Sequence, residues 1–166
     1  MIAKTYILEN LKQLNTRYLK SSKPKDGLYF SKLAVLELCG WIEMSMDEVV
    51  LRISQKKLTE ARNQKFVEDD VIARTYGFQY QKHWRSMLIR TLGIITVEKV
   101  EKSVDQQKRA KLESELKNLA TIRNSLAHTY VRGIQVQIDA PSVTMGRFSN
   151  LHEGLKDFET VIFKLP

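Results

Sequence analysis

Leu112, Leu116, Leu119, Ile122 and Leu126 follow one another at steps of 4, 3, 3 and 4 residues. At about 100° per residue those steps keep five large apolar side chains on one face of an α-helix. A strand cannot use that spacing, because its side chains alternate. The spacing predicts a helix from about Asp105 to His128 or Tyr130, with Gly133 as its stop. A second segment, from about Leu28 to beyond Ile53, carries Phe30, Leu33, Val35, Leu36, Trp41, Ile42, Val49, Val50 and Ile53. That is too much apolar girth for a single stripe, so this helix is expected to be central or shared with a partner. Only 7 Gly and 3 Pro occur in 166 residues. Few breakers and long helical periods together predict an all-α chain.

The length suits one domain, 1–166. Ile7, Leu8, Leu11, Leu14 and Tyr18 predict an N-terminal helix over 1–20. Residues 21–27, with Pro24 and Gly27 as stops, are expected to be a linker into a bundle over 28–166. A short helix is expected over 66–76, with Glu68, Asp69 and Asp70 at its positive end and Gly77 as its break. Another is expected over 79–92. Gly93 before the run IITV reads as a kink, a loop or the start of a new turn. IQVQI (134–138) alternates and reads as a short strand or an extended connector. Leu151, Leu155, Phe158 and Ile162 predict a last helix over about 150–163, capped by Ser149 or Asn150.

Several classes of chemistry are excluded early. Cys39 is the one cysteine, so there is no internal disulfide and no cysteine-based zinc cluster. It sits in the most apolar segment and is expected to be a small core residue. His83, His128 and His152 have no metal-ligand spacing, and no metal or cofactor is expected. There is no phosphate-binding glycine loop and no GxSxG or HExxH motif. No apolar run approaches a membrane span and the N-terminus is not a secretory signal, which predicts a cytoplasmic protein.

The net charge is +8, which favours a polyanionic partner. The charge is segregated. Residues 33–51 hold Glu37, Glu43, Asp47 and Glu48 and no base. Residues 71–97 hold Arg74, Lys82, Arg85 and Arg90 and no acid. That second stretch also carries Tyr76, Phe78, Tyr80 and Trp84. Phe78, Trp84 and Leu88 are expected in the core, leaving the bases as a solvated face. Lys82, Arg85 and Arg90 are the candidate phosphate contacts for a nucleic acid, RNA if the chemistry of the 123–130 segment below holds.

One short segment remains with chemistry in it: Arg123-Asn124-Ser125-Leu126-Ala127-His128-Thr129-Tyr130. It resembles the signature of the HEPN superfamily, an Arg followed after four to six residues by a His, with a polar residue directly after the Arg. Arg123, Asn124 and His128 match it position by position. The same spacing recurs at Arg147 and His152, but there Phe148 follows the Arg, and that copy is set aside. The resemblance implies an up-and-down helical bundle, here with additional N- and C-terminal helices. It also implies a homodimer in which two motifs meet, and a metal-independent endoribonuclease of a toxin–antitoxin or phage-defence system.

The residue types suit that chemistry. A His near its ordinary pKa exchanges protons at neutral pH. An Arg presents a fork of donors to phosphate oxygens, and Asn124 adds a neutral donor. Arg123 and His128 lie about 140° apart on a helix, so one motif makes a poor site and two motifs across a two-fold axis make a better one. Tyr130 extends the resemblance to Arg-x4-His-x-Tyr, the form found in HEPN toxins paired with a minimal nucleotidyltransferase (MNT) antitoxin. The resemblance implies that Tyr130 is adenylylated by such a partner, and Tyr130 falls within about 20° of Arg123 on the helix. The competing expectation is a non-catalytic HEPN-like module that binds RNA, nucleotide or a protein. Two further expectations concern acids: Arg123 could pair with an acid such as Glu159, and the acidic 37–48 stretch should lie away from the motif, on a far face or against a partner's bases.

Overall fold

The computed structural model describes residues 1–128 and 137–164, with His128 described through its backbone. The chain is all-α. Among the described residues seven α-helices occur: α1 (Thr5–Lys20), α2 (Pro24–Lys57), α3 (Ala61–Phe66), α4 (Arg85–Leu92), α5 (Ile94–Ser103), α6 (Gln106–His128) and α7 (Pro141–Lys164). No strand occurs among them, and no helix among them is long and apolar enough to cross a membrane.

The 34-residue α2 is the axis of the fold, about 51 Å long at 1.5 Å per residue. Helices α1, α4, α6 and α7 all pack on it. Its apolar girth is used on more than one side: Leu38, Ile42, Met46, Val49, Val50 and Ile53 are all buried. The expected linker shrinks to Ser21–Lys23. Pro24 opens α2 at its first turn, where a missing N–H costs nothing. Asp26 adds negative charge at that positive end. Gly27 is buried inside the first turn beneath the Tyr18 ring, so α1 and α2 form a tight hairpin.

The stripe of α6 behaves as its spacing requires. Leu112, Leu116, Leu119 and Leu126 are buried. They face Phe148, Leu151, Leu155 and Phe158 of α7 in a single core. The closest approach is at Gly154, where an added Cβ would stand 2.7 Å from Leu112 Cβ. Helix α7 starts nine residues earlier than its leucine pattern predicts. Pro141 initiates it, and Gly146, Ser149 and Asn150 are interior positions rather than an entry. Burial of Phe148 along the added turns offsets the roughly 1 kcal/mol that an interior glycine costs.

Between α3 and α4 the backbone departs from α geometry twice. Residues Val67–Ile72 and Tyr80–Trp84 form wide turns with i→i+5 bonds, such as Ala73 N–H to Glu68 O (2.9 Å) and Trp84 N–H to Gln79 O (3.3 Å). Helix α3 thus begins at Ala61, before the expected 66. Gly77 breaks the path with φ +119°, and its missing Cβ leaves room for the His83 ring. Phe78, Trp84 and Leu88 are core, as expected, while Tyr76 is 85% exposed. Trp84 packs on Phe158 with ring centroids 5.1 Å apart. Gly93 (φ +81°) ends α4 and the IITV run starts α5.

Candidate functional site

The last two turns of α6 carry the motif. Leu126 is buried and anchors this end of the helix to the core. That register turns Arg123 toward α2 and leaves Asn124 exposed to solvent, about 100° around the helix. The Arg123 side chain is 40% exposed, and its Nη2 meets Glu43 Oε1 of α2 at 3.5 Å.

Glu43 is flanked on the same face of α2 by Cys39 one turn before it and Asp47 one turn after. Burial pushes the Asp47 carboxyl up to about 6, and the neighbouring Glu43 charge adds to this. Burial likewise pushes the Cys39 thiol up to about 12, against the pull of the Arg123 charge. Cys39 is therefore a protonated core thiol, not a nucleophile.

Two expectations about acids are corrected here. The 37–48 stretch does not lie away from the motif. Central α2 runs alongside α6, so its half-buried flank brings Glu43 to the motif arginine. Arg123 does pair with an acid, but that acid is Glu43 and not Glu159. Glu159 is buried on α7, accepts the Ile2 N–H at 3.0 Å and holds Arg52 of α2.

The three candidate RNA contacts fall into different environments. Arg85 is engaged by Glu101, through Nε at 2.8 Å and Nη2 at 3.2 Å. That bidentate hold takes the Arg85 fork away from an incoming phosphate. Burial raises the Glu101 carboxyl, yet hydrogen bonds from Arg85 and Tyr80 and the charges of Arg85 and Arg109 hold it below the usual carboxylate range. Arg90 is exposed and lies over the Phe66 ring, 5.7 Å from its centroid. Lys82 is exposed on a cleft against α6. An Arg85–Arg90 phosphate row is thus replaced by one half-buried structural arginine, one arginine lying over an aromatic ring and one exposed lysine.

The other histidines serve the fold. The Gln79 N–H donates to His83 Nδ1 at 3.0 Å, and burial together with Lys82 holds His83 below its ordinary pKa. His152 stacks on Phe148 with centroids 5.7 Å apart, and burial, Lys4 and Lys156 lower its pKa. Arg147 reaches Glu115 and Asp139, each at 3.1 Å. The second Arg-x4-His copy therefore packs α6 against α7. Among the described residues no group of three or more His, Cys, Asp or Glu is placed to hold a metal.

Tyr130 and residues 134–136 of the expected strand lie outside the described residues. In the sequence Glu43 is one of four acids on the base-free 33–51 stretch, and a half-buried acid there has to find its cation on another helix.

No family model matches the chain, and no curated protein or solved structure is significantly similar to it.

Proposed function

We propose that the protein is a HEPN-like, metal-independent endoribonuclease of a toxin–antitoxin or phage-defence system. It acts in the cytoplasm as a homodimer with a composite site built from Arg123, Asn124 and His128 of each copy. The observation that carries this reading is the placement of Arg123. It sits in the last two turns of α6 with its side chain 40% exposed, and the ion pair it makes among the described residues, to Glu43, is long at 3.5 Å. A guanidinium presents further donors beyond that contact, in a fork that suits phosphate oxygens.

In this reaction one His128 takes the proton of the ribose 2′-hydroxyl. The 2′-oxygen bonds to phosphorus and the P–O5′ bond breaks. The second copy's histidine protonates the leaving 5′-oxygen, and the products are a 2′,3′-cyclic phosphate and a 5′-hydroxyl. Arg123 stabilises the phosphorane charge, and Asn124 donates a neutral hydrogen bond. Adenylylation of Tyr130 by an MNT-type antitoxin would transfer AMP from ATP to the phenol oxygen, with pyrophosphate leaving. The added negative charge would compete with substrate phosphate for Arg123.

The Glu43–Arg123 pair favours one alternative, a non-catalytic module binding RNA, nucleotide or protein, in which that arginine is held by its acid. Expression of the wild type and His128→Ala in a bacterial host separates the readings. Growth arrest that is lost in the variant, with RNA cleavage that survives a chelator, supports the nuclease. Equal tolerance of both proteins, with RNA binding intact, supports the module.

A further inference from the structure

Between the wide turn Tyr80–Trp84 and α6 lies a cleft of about 490 Å³, lined by Gln79, Gln81, Lys82, Glu113, Ser114 and Lys117. Two of its lining residues, Tyr80 and Glu113, belong to an ionic cluster behind it. Glu101 is bound by Arg85 and Arg109, and Arg109 Nε also meets Glu113 at 2.8 Å. Two carboxylates thus balance two guanidinium groups. The Tyr80 hydroxyl donates to Glu101 at 2.8 Å, so it is also satisfied. His83 is held below its ordinary pKa. Lys82 and Lys117 are what this balance leaves over: both are exposed, and neither has an ion pair among the described residues. The Ser114 hydroxyl and the side-chain amides of Gln79 and Gln81 add neutral donors on the same cleft.

The cleft is in register with the motif. Asn124 is seven residues beyond Lys117, and position 128 is eleven beyond it. At 100° per residue both fall within about 20° of the Lys117 line. The rise is about 10 Å to Asn124 and about 16 Å to position 128. Thr121, also exposed, lies between. This line on α6 is polar throughout, with hydroxyl and amide groups between the charges and no exposed large apolar side chain. It suits a backbone of regularly spaced negative charges rather than a protein surface, whose interface core is apolar.

We propose that the Lys82–Lys117 cleft is a backbone-phosphate subsite for single-stranded RNA, which then follows the exposed face of α6 to the motif. The proposal rests on the ribonuclease reading for the polarity of the track, and its test keeps the two apart. Binding of a fluorescein-labelled single-stranded RNA oligomer to the His128→Ala protein is followed by anisotropy over a salt series. Lys82→Gln/Lys117→Gln is expected to weaken binding about tenfold at low salt. It should also flatten the slope of log K against log salt by about 1.4, for two lost phosphate contacts at about 0.7 each. Lys108→Gln/Lys111→Gln removes the same charge from other faces of α6 and is expected to change both far less. Equal losses in the two double variants, or no loss in the first, overturns the subsite. Cleavage by the wild-type protein is measured separately. A wild type that cleaves RNA while Lys82→Gln/Lys117→Gln binds normally removes the subsite and leaves the nuclease. A wild type that never cleaves, with the predicted loss of binding, removes the nuclease and leaves the subsite.

Discussion

Glu43 of α2 and Arg123 of α6, eighty positions apart in the chain, meet at 3.5 Å on the half-exposed flank between their helices. The contact joins the acid-rich stretch of the chain to the arginine of the 123–130 segment. An exposed ion pair of this length contributes little stability, typically under about 1 kcal/mol. Its larger effect is on what else Arg123 can bind.

Glu43→Gln is therefore expected to leave the melting temperature nearly unchanged. RNA affinity should rise severalfold at low salt, because a competing carboxylate is gone. Arg123→Ala should lower that affinity, and Glu37→Gln, which removes the same charge elsewhere on α2, should have a smaller effect than Glu43→Gln. Anisotropy titrations of the three proteins check this. No difference between the Glu43 and Glu37 variants would separate the ion pair from binding.

Asp47 gives a pH signature. Its folded-state pKa is raised to about 6 by burial and by Glu43, above the ordinary 3.8. The folded state then binds the proton more tightly than the unfolded state. The resulting stabilisation is complete below pH about 4 and is lost as pH rises through 6. Asp47→Asn removes the penalty of ionisation, so it should stabilise the protein by on the order of 1 kcal/mol at pH 7.5, after allowance for solvent screening. Thermal melts at pH 7.5 and pH 4.5 should show the gain at the first and little at the second.

Gly154→Ala is expected to destabilise the fold by roughly 1–3 kcal/mol, the usual cost of overpacking. The new methyl would stand 2.7 Å from Leu112 Cβ, an atom that no rotamer change can move. Leu112→Ala retains that Cβ and should not rescue the variant. Denaturant unfolding of the single and double mutants decides it. A neutral Gly154→Ala would mean that α6 and α7 separate more readily than their packing suggests.

Arg85 and Lys82 should part company. Arg85→Ala leaves buried Glu101 with a weaker partner set, which should cost roughly 2–4 kcal/mol in denaturant melts. Lys82→Ala should leave stability within about 0.5 kcal/mol. If Arg85→Ala is as stable as the wild type, the Glu101 cluster does not hold α4 to α5 and α6.

Much of the helical framework is readable from spacing. The leucines of α6 are buried as their 4-3-3-4 steps require, and the overlong apolar girth of α2 announces a central helix. The boundaries were harder. Pro24 reads as a breaker, yet it opens α2, as Pro141 opens α7, because a proline N–H is not needed in a first turn. The wide turns at 67–72 and 80–84 have no sequence signal of their own, since the same residues would suit an ordinary α-helix. The polar match at 123–124 is likewise a sequence property, but Arg85, read as a solvated phosphate contact, is folded onto a carboxylate sixteen residues away.

The sequence by itself determined the all-α class, the core face of α6, the burial of Cys39 and the place of the motif on a late helix. Each of these depends on local periodicity or on a residue's own hydrophobicity. Tertiary structure alone decided which charges are neutralised. It set Glu43 against Arg123, Glu101 against Arg85 and Arg109, and Glu159 against Arg52, and it left Lys82 and Lys117 open on a cleft. Helix periodicity fixes the direction of a side chain around its own axis. It carries no information about which other helix lies opposite, and an ion pair requires both.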